Sequence, residues 1–136
     1  MISQTVREAL QRFVPAEDLH MEEPMKNHTT FKVGGNAACF IEISPGVQTE
    51  KLLLYLKRVE IPYFIMGNGS NLLVSDKGYN GVILHFGRKM DDIRISGDHI
   101  YAAAGASLAR VAAAAADQGL TGLEFAAGIP GTVGGA

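Results

Sequence analysis

One stretch decides how this chain folds: Tyr63-Phe64-Ile65-Met66-Gly67-Asn68-Gly69-Ser70-Asn71-Leu72-Leu73-Val74. A short apolar run leads into a polar loop of five residues, and a second apolar run with the character of a strand follows it. The two loop glycines lack a Cβ atom and tolerate positive φ, so successive backbone N–H groups can converge on one anion. The serine and the two asparagines add neutral side-chain donors. The loop is therefore predicted to hold a pyrophosphate.

Two better-known phosphate loops differ from this one. A Walker loop needs a lysine before its serine or threonine, and no lysine stands between Gly67 and Val74. A dinucleotide fingerprint needs a third glycine where this chain has Leu72, and it needs a helix after the loop. A plain β-turn is the alternative interpretation, because glycine, asparagine and serine are the usual turn residues.

A second glycine-rich segment lies near the end: Gly128-Ile129-Pro130-Gly131-Thr132-Val133-Gly134-Gly135. Glycines spaced by three would let this backbone lie flat against a ligand, since no side chain holds the ligand away. A flexible linker is the alternative, but the isoleucine, proline and valine make the segment too apolar for one. We therefore expect a packed, ligand-facing loop.

A third segment of small residues, Ala102-Ala103-Ala104-Gly105-Ala106-Ser107, leads into an alanine-rich stretch. Helix N-termini favour anions, and small residues there would let a phosphate or a flat ring approach. The alternative is close packing of a helix on its sheet, which is the better explanation for residues 112–116.

The composition excludes several classes of protein. Of the 136 residues, 47% are apolar and 19% are charged, which is typical of a globular domain. The formal net charge of −2 offers no basic surface for nucleic acid or for an anionic membrane. Cys39 is the only cysteine, so an internal disulfide and a cysteine metal site are excluded. The four histidines show no ligand spacing, and no metal site is predicted.

No targeting segment is evident in the sequence. Arg7, Glu8 and Arg12 interrupt the apolar pattern at the N-terminus, which rules out a signal-peptide core. The chain is expected to be cytoplasmic. It stops at Ala136 inside a glycine-rich stretch, which suggests the front part of a longer protein.

Apolar periodicity, caps and turn residues predict the order of elements. They are a helix over 3–13, a polar arm over 20–26, a strand over 38–43, a helix over 49–60, a short apolar run over 63–66, strand-like segments over 72–74 and 81–86, a hairpin with strands over 93–96 and 99–103, and a helix over 107–118. Because strands and helices do not alternate regularly, this order favours an α+β domain over a doubly wound sheet.

Four motifs follow one another in a fixed order. They are Asn27-His28-Thr29-Thr30-Phe31-Lys32-Val33-Gly34-Gly35, Met66-Gly67-Asn68-Gly69-Ser70-Asn71-Leu72-Leu73-Val74, Gly119-Leu120-Thr121-Gly122-Leu123-Glu124, and Gly128-Ile129-Pro130-Gly131-Thr132-Val133-Gly134-Gly135-Ala136. Each motif is modest alone, but together they resemble the UDP-N-acetylenolpyruvoylglucosamine reductase family, also called UDP-N-acetylmuramate dehydrogenases. The resemblance runs from Asn27 to the last residue.

The resemblance implies an α+β FAD-binding domain of the vanillyl-alcohol-oxidase (PCMH) type, truncated after about its first half. It divides the chain into an N-terminal helix and arm, residues 1–26, and an incomplete FAD-binding domain, residues 27–136, with the substrate domain absent. It also implies non-covalent FAD and NADPH as the electron donor. The substrate would be a UDP-sugar whose enolpyruvyl ether is reduced to UDP-N-acetylmuramate, for the peptidoglycan on which bacterial cell shape and division depend.

The resemblance also assigns residues to the cofactor. The FAD pyrophosphate would lie against Gly67, Asn68, Gly69, Ser70, Asn71 and Leu72. Gly105, Ala106 and Ser107 would lie along the cofactor, and its flavin side would be lined by Gly128, Ile129, Gly131, Thr132, Gly134 and Gly135. The family's substrate-binding arginine, proton-donating serine and catalytic glutamate lie in segments beyond Ala136. No catalytic residue is therefore assigned here, and the remainder of its own chain is an expected partner.

Two alternatives stay open at this point. One is another flavoprotein of the same fold, such as a sugar or alcohol oxidase. Such oxidases often attach FAD through a loop histidine, and residues 67–71 contain none. The other is a non-enzymatic module that binds a nucleotide through its glycine loops. The visible spectrum of the purified protein would separate a flavoprotein from such a module.

Overall fold

Four strands form one sheet, and two more form a separate hairpin. The computed structural model describes residues 1–136. The strands are β1 (Leu19–Pro24), β2 (Asn36–Glu42), β3 (Tyr63–Met66), β4 (Tyr79–His85), β5 (Ile93–Ser96) and β6 (His99–Ala102), and the helices are α1 (Gln4–Leu10), α2 (Thr49–Arg58) and α3 (Leu108–Asp117). Short 3₁₀ helices join some of these elements. The mixture of helix and sheet confirms the predicted α+β class.

The order of strands in the main sheet fixes where the loop after β3 lies. The order is β1-β2-β4-β3, in which β1 is antiparallel to β2 while β2, β4 and β3 run parallel to one another. Parallel strands end at a common edge of the sheet, so the segments that follow β2, β3 and β4 meet there. The predicted pyrophosphate loop follows β3 directly and therefore lies at this edge.

Both faces of the main sheet are buried. Side chains along β2 point alternately to the two faces, and each set joins a separate apolar cluster. Cys39 and Ile41 join a cluster with Leu10 of α1 and Leu52 and Leu56 of α2. The intervening Phe40 points to the opposite face, where it packs with Met25, Met66 and Ile83. A continuous apolar strand such as β2 is typical of a parallel sheet that is covered on both sides.

Two of the predicted elements are wrong. The polar arm over 20–26 contains β1, which pairs with β2 from Leu19↔Ile41 to Pro24↔Asn36. This segment has a polar sequence because β1 is an edge strand. Glu22, with a φ of +53°, also interrupts the alternation of inward and outward side chains along the strand. The segment 72–74 is irregular rather than a strand. Leu72 and Val74 are apolar because they pack on the cluster around Phe40. The division at residue 26 stays a prediction.

The remaining predicted elements are present, with ends that differ by a few residues. Helix α3 is capped as predicted, because the Ser107 hydroxyl accepts a hydrogen bond from the Arg110 N–H at 3.1 Å. Gly119 follows the helix with a φ of +70°, the left-handed conformation usual after a helix C-terminus. Helix α3 has its main contacts with the 3₁₀ helix Glu124–Gly128 and with β6. None of the helices has the length and apolar character needed to cross a bilayer.

Candidate cofactor site

The loop after β3 presents a row of unused backbone donors. None of the N–H groups of residues 67–72 donates a hydrogen bond to any other group of the chain. The loop lines a cavity of about 420 Å³, which we call the loop cavity; the segment 129–132 lines its other side. Backbone N–H groups are obligatory hydrogen-bonding groups, so a run of six unused ones beside a cavity is suited to an anion.

The two other small-residue segments lie beside each other, and the second of them lines this cavity. The Leu108 N–H donates to the Gly131 carbonyl at 3.2 Å, the Val133 N–H to the Ala106 carbonyl at 2.9 Å, and the Gly134 N–H to the Ala104 carbonyl at 2.9 Å. The segments that the sequence singled out separately, 102–107 and 128–135, therefore form one backbone-paired unit. The start of α3 belongs to the same unit.

Glycine at position 67 brings this unit against the loop. A Cβ atom on Gly67 would lie 2.5 Å from the Oγ1 of Thr132, which is buried. A Cβ atom on Gly105 would lie 2.2 Å from the Gly87 carbonyl oxygen, at the junction with the main sheet. These two glycines are needed because segments of the chain approach one another closely.

Gly69 has the positive φ that an anion-binding loop predicts, at +64°. Its carbonyl accepts a hydrogen bond from the Thr30 N–H at 3.1 Å, and a Cβ atom on it would lie 2.3 Å from the His28 carbonyl oxygen. The segment 28–30 therefore packs against the loop at Gly69 and fixes its conformation. A side chain at position 69 would disturb this packing whether or not a ligand is bound.

The loop cavity contains no ionisable side chain. Its lining residues are Phe64, Ile65, Met66, Gly67, Asn68, Gly69, Ser70, Asn71, Leu72, Ile129, Pro130, Gly131, Thr132, Gly135 and Ala136. The side chains of Asn68 and Asn71 are exposed and form no hydrogen bond within the chain. The donors are therefore backbone and side-chain amides and the hydroxyls of Ser70 and Thr132, and these can hold a pyrophosphate without a cation. The residues present fit FAD in this respect.

A comparison of the sequence with known families agrees with this chemistry. Residues 37–136 match the family described as FAD binding domain. This chain belongs to that family.

Relatives and a solved structure specify the resemblance further. The chain is 40% identical over all of its 136 residues to the UDP-N-acetylenolpyruvoylglucosamine reductase of Staphylococcus aureus (strain MRSA252), of which it spans 44%. It is 44% identical over 124 residues to the enzyme of that name from Syntrophomonas wolfei, of which it spans 42%. The crystal structure of the Thermus caldophilus reductase matches 87% of the chain with a TM-score of 0.62 and 34% identity, and the chain covers 40% of it. The resemblance seen in the motifs is confirmed.

The residues that the sequence assigned to the cofactor differ in their burial and in whether their side chains are free to contact a ligand. Ser107 uses its hydroxyl to cap α3, and Ala106 is fully buried, so neither has a free polar side chain. Gly128 stands open, with nothing within 4 Å of where its Cβ would be. Ile129 is 42% exposed and lines the loop cavity. That these residues contact FAD stays a prediction.

The sequence did not reveal a second cavity on the other side of the loop. It has a volume of about 520 Å³, and we call it the polar cavity because no hydrophobic residue lines it. Its lining residues are Asn27, His28, Thr29, Thr30, Glu42, Asn68, His85, Gly87, Arg88 and Gly105. Glu42 and His85 are partners at the ends of β2 and β4, so only knowledge of that strand pairing could have brought them together.

Proposed function

We propose that this chain is the FAD-binding part of a UDP-N-acetylenolpyruvoylglucosamine reductase, and that residues 67–72 hold the FAD pyrophosphate. The observation that carries the proposal is the row of unused N–H groups on residues that line a cavity with no cationic side chain. Backbone dipoles fixed in this way bind an anion without reorganising. The names of the relatives support the substrate class, although the chain spans only 42% to 44% of their length.

The chain's own residues bind and orient the cofactor in this proposal. FAD, when bound, supplies the capacity to accept and pass on electrons, with NADPH as the donor and the enolpyruvyl group of a UDP-sugar as the acceptor. The product is UDP-N-acetylmuramate for peptidoglycan, made in the cytoplasm. No acid or base lines the loop cavity, which supports the view that residues outside 1–136 bind the substrate and donate its proton.

The test adds one negative charge beside the proposed pyrophosphate. Asn71 is exposed and makes no hydrogen bond within the chain, so Asn71→Asp keeps its shape and leaves the fold intact. The carboxylate would repel the phosphates across a partly desolvated cavity. We expect FAD affinity, measured by flavin fluorescence titration of the protein as the cell makes it, to fall at least about tenfold.

Asn36→Asp is the matched control. Asn36 is also exposed, but it begins β2 and therefore lies at the opposite edge of the sheet from the loop. The FAD affinity of the Asn36→Asp variant should stay within about twofold of the wild-type value. Equal affinities in the two variants would show that residues 67–72 do not hold the pyrophosphate. Absence of FAD binding by the wild type would contradict the proposed function itself.

A further inference from the structure

The loop after β3 contains an asparagine that is followed directly by a glycine, Asn68-Gly69. Asparagine is chemically labile in this setting, because the backbone nitrogen of the next residue can attack the side-chain amide. A glycine in the next position has no Cβ atom, so nothing hinders the attack. Only two of the five asparagines are followed by glycine, and the second pair is Asn80-Gly81.

Neither of the two reacting groups at Asn68-Gly69 is occupied within the chain. The Asn68 side chain is exposed and forms no hydrogen bond, and the Gly69 N–H donates none. Both residues line the loop cavity, which admits the water that the reaction consumes. A backbone N–H that an acceptor holds is not free to attack. The unused N–H groups that suit this loop to an anion therefore also expose it to attack on Asn68 when no anion is bound.

The second Asn-Gly pair provides a contrast within the same molecule. Asn80 and Gly81 lie in β4, which pairs with β2 on one side and with β3 on the other. A Cβ atom on Gly81 would lie 2.4 Å from the Pro62 carbonyl oxygen, so the backbone there is enclosed. The Asn80 side chain also accepts a hydrogen bond from the N-terminal ammonium group of Met1. Attack at this pair requires the sheet to open locally.

We propose that Asn68-Gly69 is a site of spontaneous covalent modification, at which the ligand-free chain converts Asn68 into aspartate and isoaspartate. The Gly69 nitrogen gives up its proton and forms a bond to the Asn68 Cγ. The bond between Cγ and Nδ2 breaks, so that ammonia leaves and a succinimide ring remains. One water molecule then opens this ring at either of its carbonyl groups, which gives aspartate or isoaspartate. Water is the only co-reactant, and no group is oxidised or reduced.

Both products alter the loop where it is most constrained. Each adds a negative charge to a cavity whose lining has no cationic side chain. Isoaspartate also lengthens the main chain next to Gly69, where a Cβ atom would already lie 2.3 Å from the His28 carbonyl oxygen. The Gly69 carbonyl, which accepts from the Thr30 N–H at 3.1 Å, would be displaced with it.

The consequence for the cofactor rests on the proposed function. A modified loop no longer holds the FAD pyrophosphate, because the new charge repels it. Bound FAD in turn protects Asn68, since a Gly69 N–H that donates to a phosphate is kept away from the side-chain amide. The ligand-free protein thus loses its site by a covalent change, whereas the loaded protein keeps it.

The experiment follows the side-chain amides of both Asn-Gly pairs in one sample. The protein as the cell makes it is freed of bound ligand and kept at mildly alkaline pH, which favours loss of the N–H proton. It is then digested, and its peptides are separated by chromatography and weighed by mass spectrometry. Aspartate and isoaspartate should appear at position 68 at least about tenfold faster than at position 80, because residue 81 must leave the sheet before it can react.

Two variants and one ligand complete the experiment. Asn68→Gln should abolish the reaction at position 68, because the longer side chain must close a larger ring, and the matched Asn80→Gln should leave the rate at position 68 unchanged. FAD at about ten times its dissociation constant leaves only about a tenth of the loops free, so it should slow the reaction at position 68 about tenfold. Asn68→Asp, which imitates one product, should weaken FAD binding at least about tenfold.

The outcomes separate this inference from the proposed function. Equal rates at positions 68 and 80, or no reaction at either, would overturn the modification site. The proposed function would stand in that case, because the FAD titration measures it independently. Fast modification at position 68 that FAD does not slow would support the site, but it would contradict both the protection by FAD and the place of the pyrophosphate at this loop.

Discussion

The main sheet, residues 19–86, and the hairpin–helix unit, residues 93–136, are held together in different ways. The sheet buries two clusters of large apolar side chains around β2 and β4. The hairpin–helix unit buries Ala106, Val111, Ala112, Ala115, Ala126 and Thr132, all of them small or medium-sized. Its small-residue segments are joined by backbone hydrogen bonds, whereas the sheet is stabilised by large buried side chains. Packing of large side chains therefore stabilises the sheet, and close approach of backbone segments forms the candidate cofactor site beside it.

The largest expected effect tests the packing of the sheet. Leu84 is fully buried among the side chains of its cluster, so Leu84→Ala should lower the free energy of unfolding by about 2–5 kcal/mol. Leu54→Ala is the control. Leu54 is 60% exposed on α2, so this substitution should lower the free energy of unfolding by much less. Urea denaturation measures both. If Leu120→Ala, in the hairpin–helix unit, costs as much as Leu84→Ala, the contrast between the two regions is wrong.

The junction between the two regions depends on a glycine. Gly105 donates its N–H to the Met90 carbonyl at 2.7 Å, and a Cβ atom on it would lie 2.2 Å from the Gly87 carbonyl oxygen and 2.6 Å from that of Met90. Both neighbours are backbone atoms of the segment that connects the main sheet to the hairpin–helix unit, so Gly105→Ala must move this unit away from that segment. We expect a loss of about 1–3 kcal/mol in unfolding free energy together with weaker FAD binding.

Gly128→Ala is the control for the junction. Nothing lies within 4 Å of where its Cβ would be, and its φ is not positive, so the extra methyl group has room. The free energy of unfolding of the Gly128→Ala variant should stay within about 0.5 kcal/mol of the wild-type value. A loss of stability as large as that of Gly105→Ala would mean that segment 128–135 is packed more tightly than its open surroundings indicate.

The sequence predicted the hairpin–helix unit better than the strands of the sheet. Ser107 and Gly119 mark the ends of α3 by local chemistry, and both were found from sequence. β1 was missed because pairing with β2, a long-range contact, makes it a strand in spite of His20 and Glu22. The three segments of small residues were singled out from their composition, and the structure brings them close together, while their contact with a cofactor stays a prediction. The burial of Thr29 was not predicted, since it results from the approach of the loop rather than from its own type.

Two serine caps give a smaller test of the same contrast. Ser107 accepts from the Arg110 N–H at 3.1 Å in the hairpin–helix unit, and Ser3 accepts from the Val6 N–H at 3.3 Å on α1, which packs on the sheet. Ser107→Ala should cost about 1 kcal/mol, within the range usual for a lost cap. Ser3→Ala should cost less, because its helix begins close to the chain terminus, where the ends of helices fray. Thermal melts of both variants check the order, and the reverse order would mean that α1 contributes more to stability than α3.

The smallest effect concerns the thiol at the centre of the sheet. Burial raises the pKa of Cys39 to about 12, against a smaller opposing effect of the Arg7 charge. The unfolded chain would release the thiol proton near the ordinary cysteine pKa of 9.0, while the folded chain keeps it. Between these two pH values the unfolded state binds fewer protons, so the stability falls as the pH rises and is fully present below about pH 8. At the pH that equals the ordinary thiol pKa, the loss from this group is about 0.4 kcal/mol. Cys39→Ala should lower the stability below about pH 8, where the thiol is protonated in both states, and should remove this part of the decline at higher pH. Parallel curves for wild type and variant between about pH 8 and pH 10 would show that the thiol is less deeply enclosed than the packing of β2 indicates.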